Sequence, residues 1–367
     1  MSPDKALCLL STFVVKQRRM ALPPLLGMHI TELEEKVKIL GLPAYTARQI
    51  ADWLYKKDIT SIEEMSNLSK AARQKLSEHY AFGTAAPESH QASSDGTKKY
   101  LFQTGPHRFV EAAYIPEKSR ATLCLSTQVG CKMGCLFCMT GKQGFQANLS
   151  TAQIINQVRS LPERESLSNL VYMGMGEPFD NTDNVMRSLE VFTAEWGFAW
   201  SPRRITVSTI GILPAMERFL QESECHLAVS LHSPFDEDRR QLMPIQHVYP
   251  LEEVIAMLKE HGFRGQRRVS FEYIMFKGIN DQPAHVKALS RLLYGLRCRI
   301  NLMRFHPIPG TPLQGTAEED IVKFAEALNA KGIRTTIRAS RGQDIDAACG
   351  LLSTKELVKR AGEEESL

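Results

Sequence analysis

From Ala121 onward the sequence alternates between two textures, and this alternation limits the fold more than any other feature. Seven short runs, "ATLCLST", "LSNLVYMGMGEP", "RRITVSTIG", "CHLAVSLHS", "RVSFEYIMFKG", "RINLMRFHP" and "IRTTIRAS", are apolar and rich in β-branched residues. Between most of them lie segments with helical periodicity, such as "STAQIINQVRSL", "LPAMERFLQE", "PLEEVIAMLKEHG" and "AEEDIVKFAEALNAKG". Alternating strand and helix predicts an α/β fold with a parallel sheet, closed or half-closed as a barrel. Such a fold gathers its functional groups at the C-terminal ends of its strands. Polar residues and glycines cluster at those predicted ends, in "GMGEP", "STIG", "SLH" and "FHPIPG".

The segment before the alternation reads differently. The stretch "HITELEEKVKILGLPAYTARQIADWLYKKDITSIEEMSNLSKAARQKLSEHY" is helical in period, with breaks at Gly41-Leu42-Pro43 and around Asp58, and predicts a small helical module over residues 25–85. The polar "PESHQASSDG" reads as a linker or turn. Two strand-like runs, "KKYLFQT" and "RFVEAAYIP", are separated by "GPH" in the manner of a hairpin, so residues 86–120 form a linker and β-hairpin ahead of an α/β domain over 121–350. Residues 1–24 are an extension, with Met20 or Met28 as a candidate physiological start, and 351–367 a tail. The apolar stretch Ala6–Val15 is followed by "KQRR" and is too short to span a bilayer, so neither a signal peptide nor a transmembrane span is expected.

At 367 residues, 43% of them hydrophobic, the chain can bury a sizeable core. A net charge of +4 suits a polyanionic partner without requiring one. Eight cysteines are too sparse for a secreted disulfide scaffold. Their clustering points to metal binding or catalysis in a reducing cytoplasm.

Three of the eight fall in "CKMGCLFC", at Cys131, Cys135 and Cys138. Structural zinc wants four ligands in a closed shell, usually as two separated pairs, and is the weaker reading. An iron–sulfur cube held by three thiolates leaves one iron open to a substrate, which gives C-x3-C-x2-C a chemical purpose. With an aromatic before the last cysteine, the spacing resembles the radical S-adenosylmethionine (SAM) superfamily. Taken with "RATLCLSTQVGCKMGCLFCMTGKQGF", "GMGEP", "SLHSPFDEDRRQLMPI", "FEYIMFKGIND", "NLMRFHPIPGTP" and "RGQDIDAACG", the chain resembles the RlmN/Cfr family of RNA adenine methyltransferases from the helical module nearly to its end. Arg304 and His306 depart from the family, which more often has apolar or Asn residues there.

The resemblance implies a partial (β/α)6-type radical SAM barrel, one [4Fe-4S] cluster on Cys131, Cys135 and Cys138, and methylation of adenine C2 in 23S ribosomal RNA and in transfer RNA. It also implies a flavodoxin or ferredoxin as electron donor, a monomer, and no membrane partner. Carbon 2 of adenine is electron-poor and cannot displace the methyl of SAM, so the family works through two further cysteines, matched here by Cys349 and Cys124. Cys349 would take a methyl from one SAM. A 5′-deoxyadenosyl radical from a second SAM would activate S-methyl-Cys349 to bond the base, and Cys124 would release the product by forming a disulfide with Cys349. Cys8, Cys225 and Cys298 have no such context and read as small buried residues.

By position Glu111 matches the family's proton acceptor. Strand alternation places it with Phe109, Ala113 and Ile115, opposite Val110, Ala112 and Tyr114, so neither face offers it polar company and burial would raise its pKa. The plainer reading is a salt-bridged residue on an edge strand. SAM binding would fall to Gly176, Glu177, Ser208, Ser230, Leu231, His232 and Asn301, with Glu177 on the methionyl amine. Basic doublets at Lys98-Lys99, Arg203-Arg204, Arg239-Arg240 and Arg267-Arg268, with Arg297, Arg299 and Arg304 on one strand, include candidate contacts to RNA phosphates. Methylation at C8 of the same nucleotide, or metal-stabilised RNA binding without catalysis, are the competing readings.

Overall fold

A computed structural model of the chain describes residues 22–263, 267–348 and 350–352. It divides into two compact units between Gly83 and Thr84. Cys349, Cys8, the first 21 residues and the tail from 353 lie outside the described residues.

The first unit is built on helices Ile30–Ile39, Thr46–Tyr55 and Lys70–His79, with a 3-10 turn at Ile62–Glu64. His29 and Glu32 cap the first helix reciprocally, and Ser69 accepts from the Ala72 amide at the start of the third. Leu25, Leu33, Val37, Ile50, Leu54, Met65 and Leu76 form its core. Gly83 closes the unit at φ +103, where a Cβ would lie 2.6 Å from Pro24.

The second unit carries a ten-stranded sheet in the order β1-β2-β3-β4-β7-β8-β9-β10-β11-β12. Strands β1 (Ser89–Ala92), β2 (Lys98–Gly105), β3 (Arg108–Pro116) and β4 (Ala121–Cys124) pair antiparallel. From β4 the sheet is parallel through β7 (Asn169–Tyr172), β8 (Ile205–Thr209), β9 (His226–Ser230), β10 (Val269–Met275), β11 (Cys298–Arg304) and β12 (Arg334–Ile337). The sheet is open, a half-barrel between edges β1 and β12. Each of the seven apolar runs holds one parallel strand, and the four amphipathic segments form helices Thr151–Arg159, Leu213–Glu222, Leu251–His261 and Glu318–Ala330. A ribbon of β5 (Gln128–Val129) and β6 (Ala147–Asn148) brackets the cysteine segment.

Strand β10 explains how the sheet separates packing from chemistry. Val269, Phe271, Tyr273 and Met275 alternate with Ser270, Glu272 and Ile274. Tyr273 stacks on Phe324 of a covering helix at 5.7 Å, which places the apolar set against the helices and the other set toward the inner face. One expectation changes: the polar stretch expected to be linker contains β1. All four of its side chains are exposed, so it has no apolar period to reveal it; its pairing with β2 makes the strand.

Candidate active site

The loop after β4 carries the cysteine triplet, and local packing gives it one shape. Phe137 is buried edge-on against His232 (4.7 Å between centroids) and tilted against Phe276 (5.6 Å), in a cluster with Leu242, Met243 and Phe305. The Leu136 amide donates to the Leu242 carbonyl and the Cys138 amide to the Cys135 carbonyl. The Met139 amide donates to the Gly350 carbonyl, and Thr140 Oγ1 to the Leu352 carbonyl, so the end of the described chain is tied to the same loop.

Cys131, Cys135 and Cys138 line one cavity of about 150 Å³ together with Gly176, Glu177, Ser208, Ser230 and His232. Among the described residues no three His, Cys, Asp or Glu side chains converge closely enough to hold a single metal ion. Three soft thiols spread around one cavity, with no fourth thiol among the described residues that line it, are a donor set suited to an iron–sulfur cube. Burial pushes the Cys131 thiol up to about 12 and Cys135 well above its usual range, so these thiols stay protonated until metal replaces the proton.

Glu177 lines the cavity, but its carboxylate already accepts from Thr209 Oγ1 (2.7 Å), the Phe179 amide (3.1 Å) and the Ile210 amide (3.1 Å). Burial pushes its pKa up to about 7 in spite of these bonds. Gly176 is required beside it: at φ +96, a Cβ there would lie 2.5 Å from Gln128, whose Oε1 accepts from the Glu177 amide. His232 takes the left-handed conformation (φ 56), and its Nδ1 accepts from the Ile274 amide. Burial lowers its pKa to about 3, so the ring is neutral. Asn280 of "FKGIND" donates to the carbonyls of His232 (2.6 Å) and Ile274 (2.7 Å) and accepts from the Phe276 amide, fixing that turn.

A second cavity, of about 420 Å³, adjoins the first. Met173, Glu272 and Met303 line both. Cys124 opens onto the second, in company with Arg120, Arg299, Arg304, Arg338 and Arg341. Asn301 lies in this second cavity rather than with the cysteines: its Nδ2 donates to Glu272 Oε1 (2.7 Å) and its Oδ1 accepts from Thr336 (2.8 Å), one side-chain row across β10, β11 and β12. Leu231 is fully buried and lines neither cavity; its amide donates to the Glu272 carbonyl. Ala347 and Ala348 line the second cavity and Gly350 the first, so the residues flanking position 349 touch both.

The surroundings of Glu111 correct the sequence reading. Its carboxylate pairs with Lys99 Nζ at 3.1 Å, both side chains being buried, and β3 lies inside the sheet, not at an edge. The register decides this, because Leu101 pairs with Glu111 and places Lys99 diagonally across on the same face. Ala113, two residues on, pairs with Cys124 and packs against it with Ala347.

The basic doublets divide as well. Lys98 pairs with Glu163 and Lys99 with Glu111. Arg204 donates to the carbonyls of Leu167 and Ser168 beneath Trp200. Arg239 is fully buried and donates to the carbonyls of Ile210, Ser230 and Leu231, joining the ends of β8 and β9. Glu272 is the residue the sequence reading passed over. A lone carboxylate in "VSFEYIM" is the same kind of anomaly that singled out Glu111.

The comparisons agree with this geometry. The profile of the Radical SAM superfamily matches residues 125–289, and that of the ribosomal RNA large subunit methyltransferase N-terminal domain matches residues 24–81. The probable dual-specificity RNA methyltransferase RlmN of Parabacteroides distasonis is 57% identical over 334 residues, 91% of this chain and 97% of its own length. The chain belongs to the RlmN family. The dual-specificity RNA methyltransferase RlmN of Syntrophus aciditrophicus is 41% identical over 91% of this chain and 97% of its own. A crystal structure of a radical SAM methyltransferase from Sphaerobacter thermophilus superposes with a TM-score of 0.85 at 39% identity, covering 90% of this chain and 99% of that one. This family member is therefore a radical SAM RNA methyltransferase.

Proposed function

We propose that the chain methylates C2 of an adenine in 23S ribosomal RNA and in transfer RNA, using Cys349 to carry the methyl carbon and Cys124 to release the product. The observation that supports this most is the shared wall: a cavity with three thiols and a basic cavity with Cys124 meet at Met173, Glu272 and Met303. Cys131, Cys135 and Cys138 would hold a [4Fe-4S] cluster, and Gly176, Glu177, Ser208, Ser230 and His232 would hold SAM, with Leu231 and Asn301 acting through Glu272. When bound, the cluster and SAM supply the methyl group and the radical that activates it. Arg120, Arg299, Arg304, Arg338 and Arg341 make the adjoining cavity favourable for a nucleotide with its phosphates. Glu111, paired with Lys99, would accept the C2 proton. Cys124 then attacks the Cys349 sulfur and breaks its bond to the carbon now on the adenine; that carbon takes a proton to become the methyl group, and the resulting disulfide is reduced before the next turnover. The helical unit serves as an RNA-binding accessory domain, and a flavodoxin or ferredoxin supplies electrons in the cytoplasm.

The two cysteines are separable by experiment. Cys124→Ala is expected to trap a protein–RNA adduct that survives denaturant. Cys349→Ala and the double variant are expected to trap none, because their defect precedes any bond to RNA. Denaturing gels with labelled RNA read this directly; an equal band with Cys349→Ala overturns the assignment. Mass spectrometry of RNA digested after wild-type turnover is expected to find 2-methyladenosine, and 8-methyladenosine would overturn the regiochemistry.

A further inference from the structure

At the strand-start end of the parallel sheet lies a recess of about 560 Å³ that shares only Arg299 with the Cys124 cavity. Its walls are the residues at the starts of three strands: Arg267, Arg268 and Val269 entering β10, Arg297, Cys298 and Arg299 entering β11, and Arg334 at the head of β12. No carboxylate among the described residues lines it. Arg267 is structural, since its guanidinium donates to the carbonyls of Phe219, Leu220 and Cys225. Arg268, Arg297, Arg299 and Arg334 have no side-chain hydrogen bond or ion pair among the described residues. Several other surface arginines are matched by carboxylates, Arg120 by Glu117, Arg218 by Asp183 and Glu222, Arg240 by Asp236, and Arg304 by Glu318, while others such as Arg203 and Arg338 have no such match among the described residues; the recess differs in gathering four unmatched ones in one place.

Four guanidiniums gathered without counter-charge repel one another, and that cost is offset when an anion enters. The field is felt nearby. His226, whose Nδ1 accepts from the Arg268 amide, has its pKa lowered to about 4 by burial and then by Arg268, Arg299, Arg267 and Arg203. Arg299 is itself lowered, by burial and then by Arg268, Arg334 and Arg338. The carboxylates that act on these arginines are Glu224, on Arg267, and Glu272, on Arg299; neither lines the recess.

We infer that this recess is a second, non-catalytic anchor for the phosphodiester backbone of the RNA substrate, formed by Arg268, Arg297 and Arg334, with Arg299 at its boundary with the Cys124 cavity. Clustered phosphates are the ligand chemistry. RNA is the source because the chain is an RNA methyltransferase and planar guanidiniums match the geometry of phosphate oxygens. The anchor stands about 20 Å from the Arg304 end of β11, the length of seven extended residues. A large folded RNA reaches both places, whereas a short hairpin holding only the target adenine occupies the mouth alone. The anchor thus favours large structured substrates over isolated hairpins. It rests on RNA being the substrate, not on which adenine carbon is methylated.

The test is the triple variant Arg268→Gln/Arg297→Gln/Arg334→Gln in the full-length holoenzyme, with Arg299 kept because it also lines the Cys124 cavity. Filter binding to a long folded ribosomal RNA transcript is expected to be about tenfold weaker at low salt, with a log–log salt slope smaller by roughly 2 to 3. Affinity for a short hairpin is expected to stay unchanged. Without RNA the variant should melt no lower than wild type, since repulsion has been relieved. Unchanged transcript affinity and slope overturn the inference, as does an equal loss on transcript and hairpin. If pyrophosphate raises the melting temperature of wild type but not of the variant while transcript affinity is unchanged, the recess takes a small phosphate compound and the RNA assignment is overturned. Wild type failing to methylate either RNA would instead defeat the functional proposal.

Discussion

Glu177 carries the clearest pH signature in the protein. Its carboxyl is raised from an ordinary 4.5 to about 7 because burial outweighs three hydrogen bonds. A raised carboxyl stabilises the fold fully below its unfolded pKa, and that contribution is lost as pH rises through the folded value. In cluster-free protein this contribution is therefore lost between about pH 4.5 and 7, so the melting temperature of wild type relative to Glu177→Gln is expected to fall across that interval and to level off above it. Scanning fluorimetry at four or five pH values checks this, and parallel curves for the two proteins would contradict it. His232 works the other way in both proteins: neutral when folded but protonated when unfolded below its ordinary 6.5, it adds stability as pH rises from about 3 to 6.5.

Turns, more than strands, shape the catalytic mouth. Asn280 binds two carbonyls and one amide through a single side chain and sets the turn that places His232. Asn280→Ala leaves those buried groups unsatisfied and is expected to cost about 2–4 kcal/mol. It should also weaken SAM binding, because the His232 turn, held at φ 56, loses its brace. Denaturant melts and equilibrium SAM binding measure the two effects separately. These strand-end motifs were visible as clusters of Gly, Ser, His and Asn after apolar runs. Which of them face the cysteines was not: Asn301 and Ser208 both sit on strands, yet only Ser208 lines the cysteine cavity, since that depends on how the open sheet curves.

The two units each have their own core, which makes a cut between Gly83 and Thr84 informative. A fragment beginning at Thr84 is expected to fold, to bind a cluster and to cleave SAM, since the cysteine loop and both cavities lie wholly within it. It should lose most RNA methylation if the helical unit binds RNA. Absorbance of anaerobically reconstituted fragment, 5′-deoxyadenosine release and methyl transfer to RNA report the three properties. Full methylation by the fragment would remove RNA binding from the helical unit.

Alternation of β-branched runs with amphipathic segments was sufficient for the half-barrel, because period 2 and period 3.6 are local properties that survive without knowledge of neighbours. The cysteine triplet likewise stood out through its spacing alone. Pairing between distant residues required the tertiary structure. That Lys99 neutralises Glu111 follows from a strand register, that Arg239 is a buried brace while Arg240 is an exposed partner of Asp236 follows from packing, and that Cys124 opens onto a basic cavity follows from sheet curvature. A sequence records the chemical type of each side chain and its local period, whereas the distance between two charges far apart in the chain is set only when the strands between them are ordered and bent.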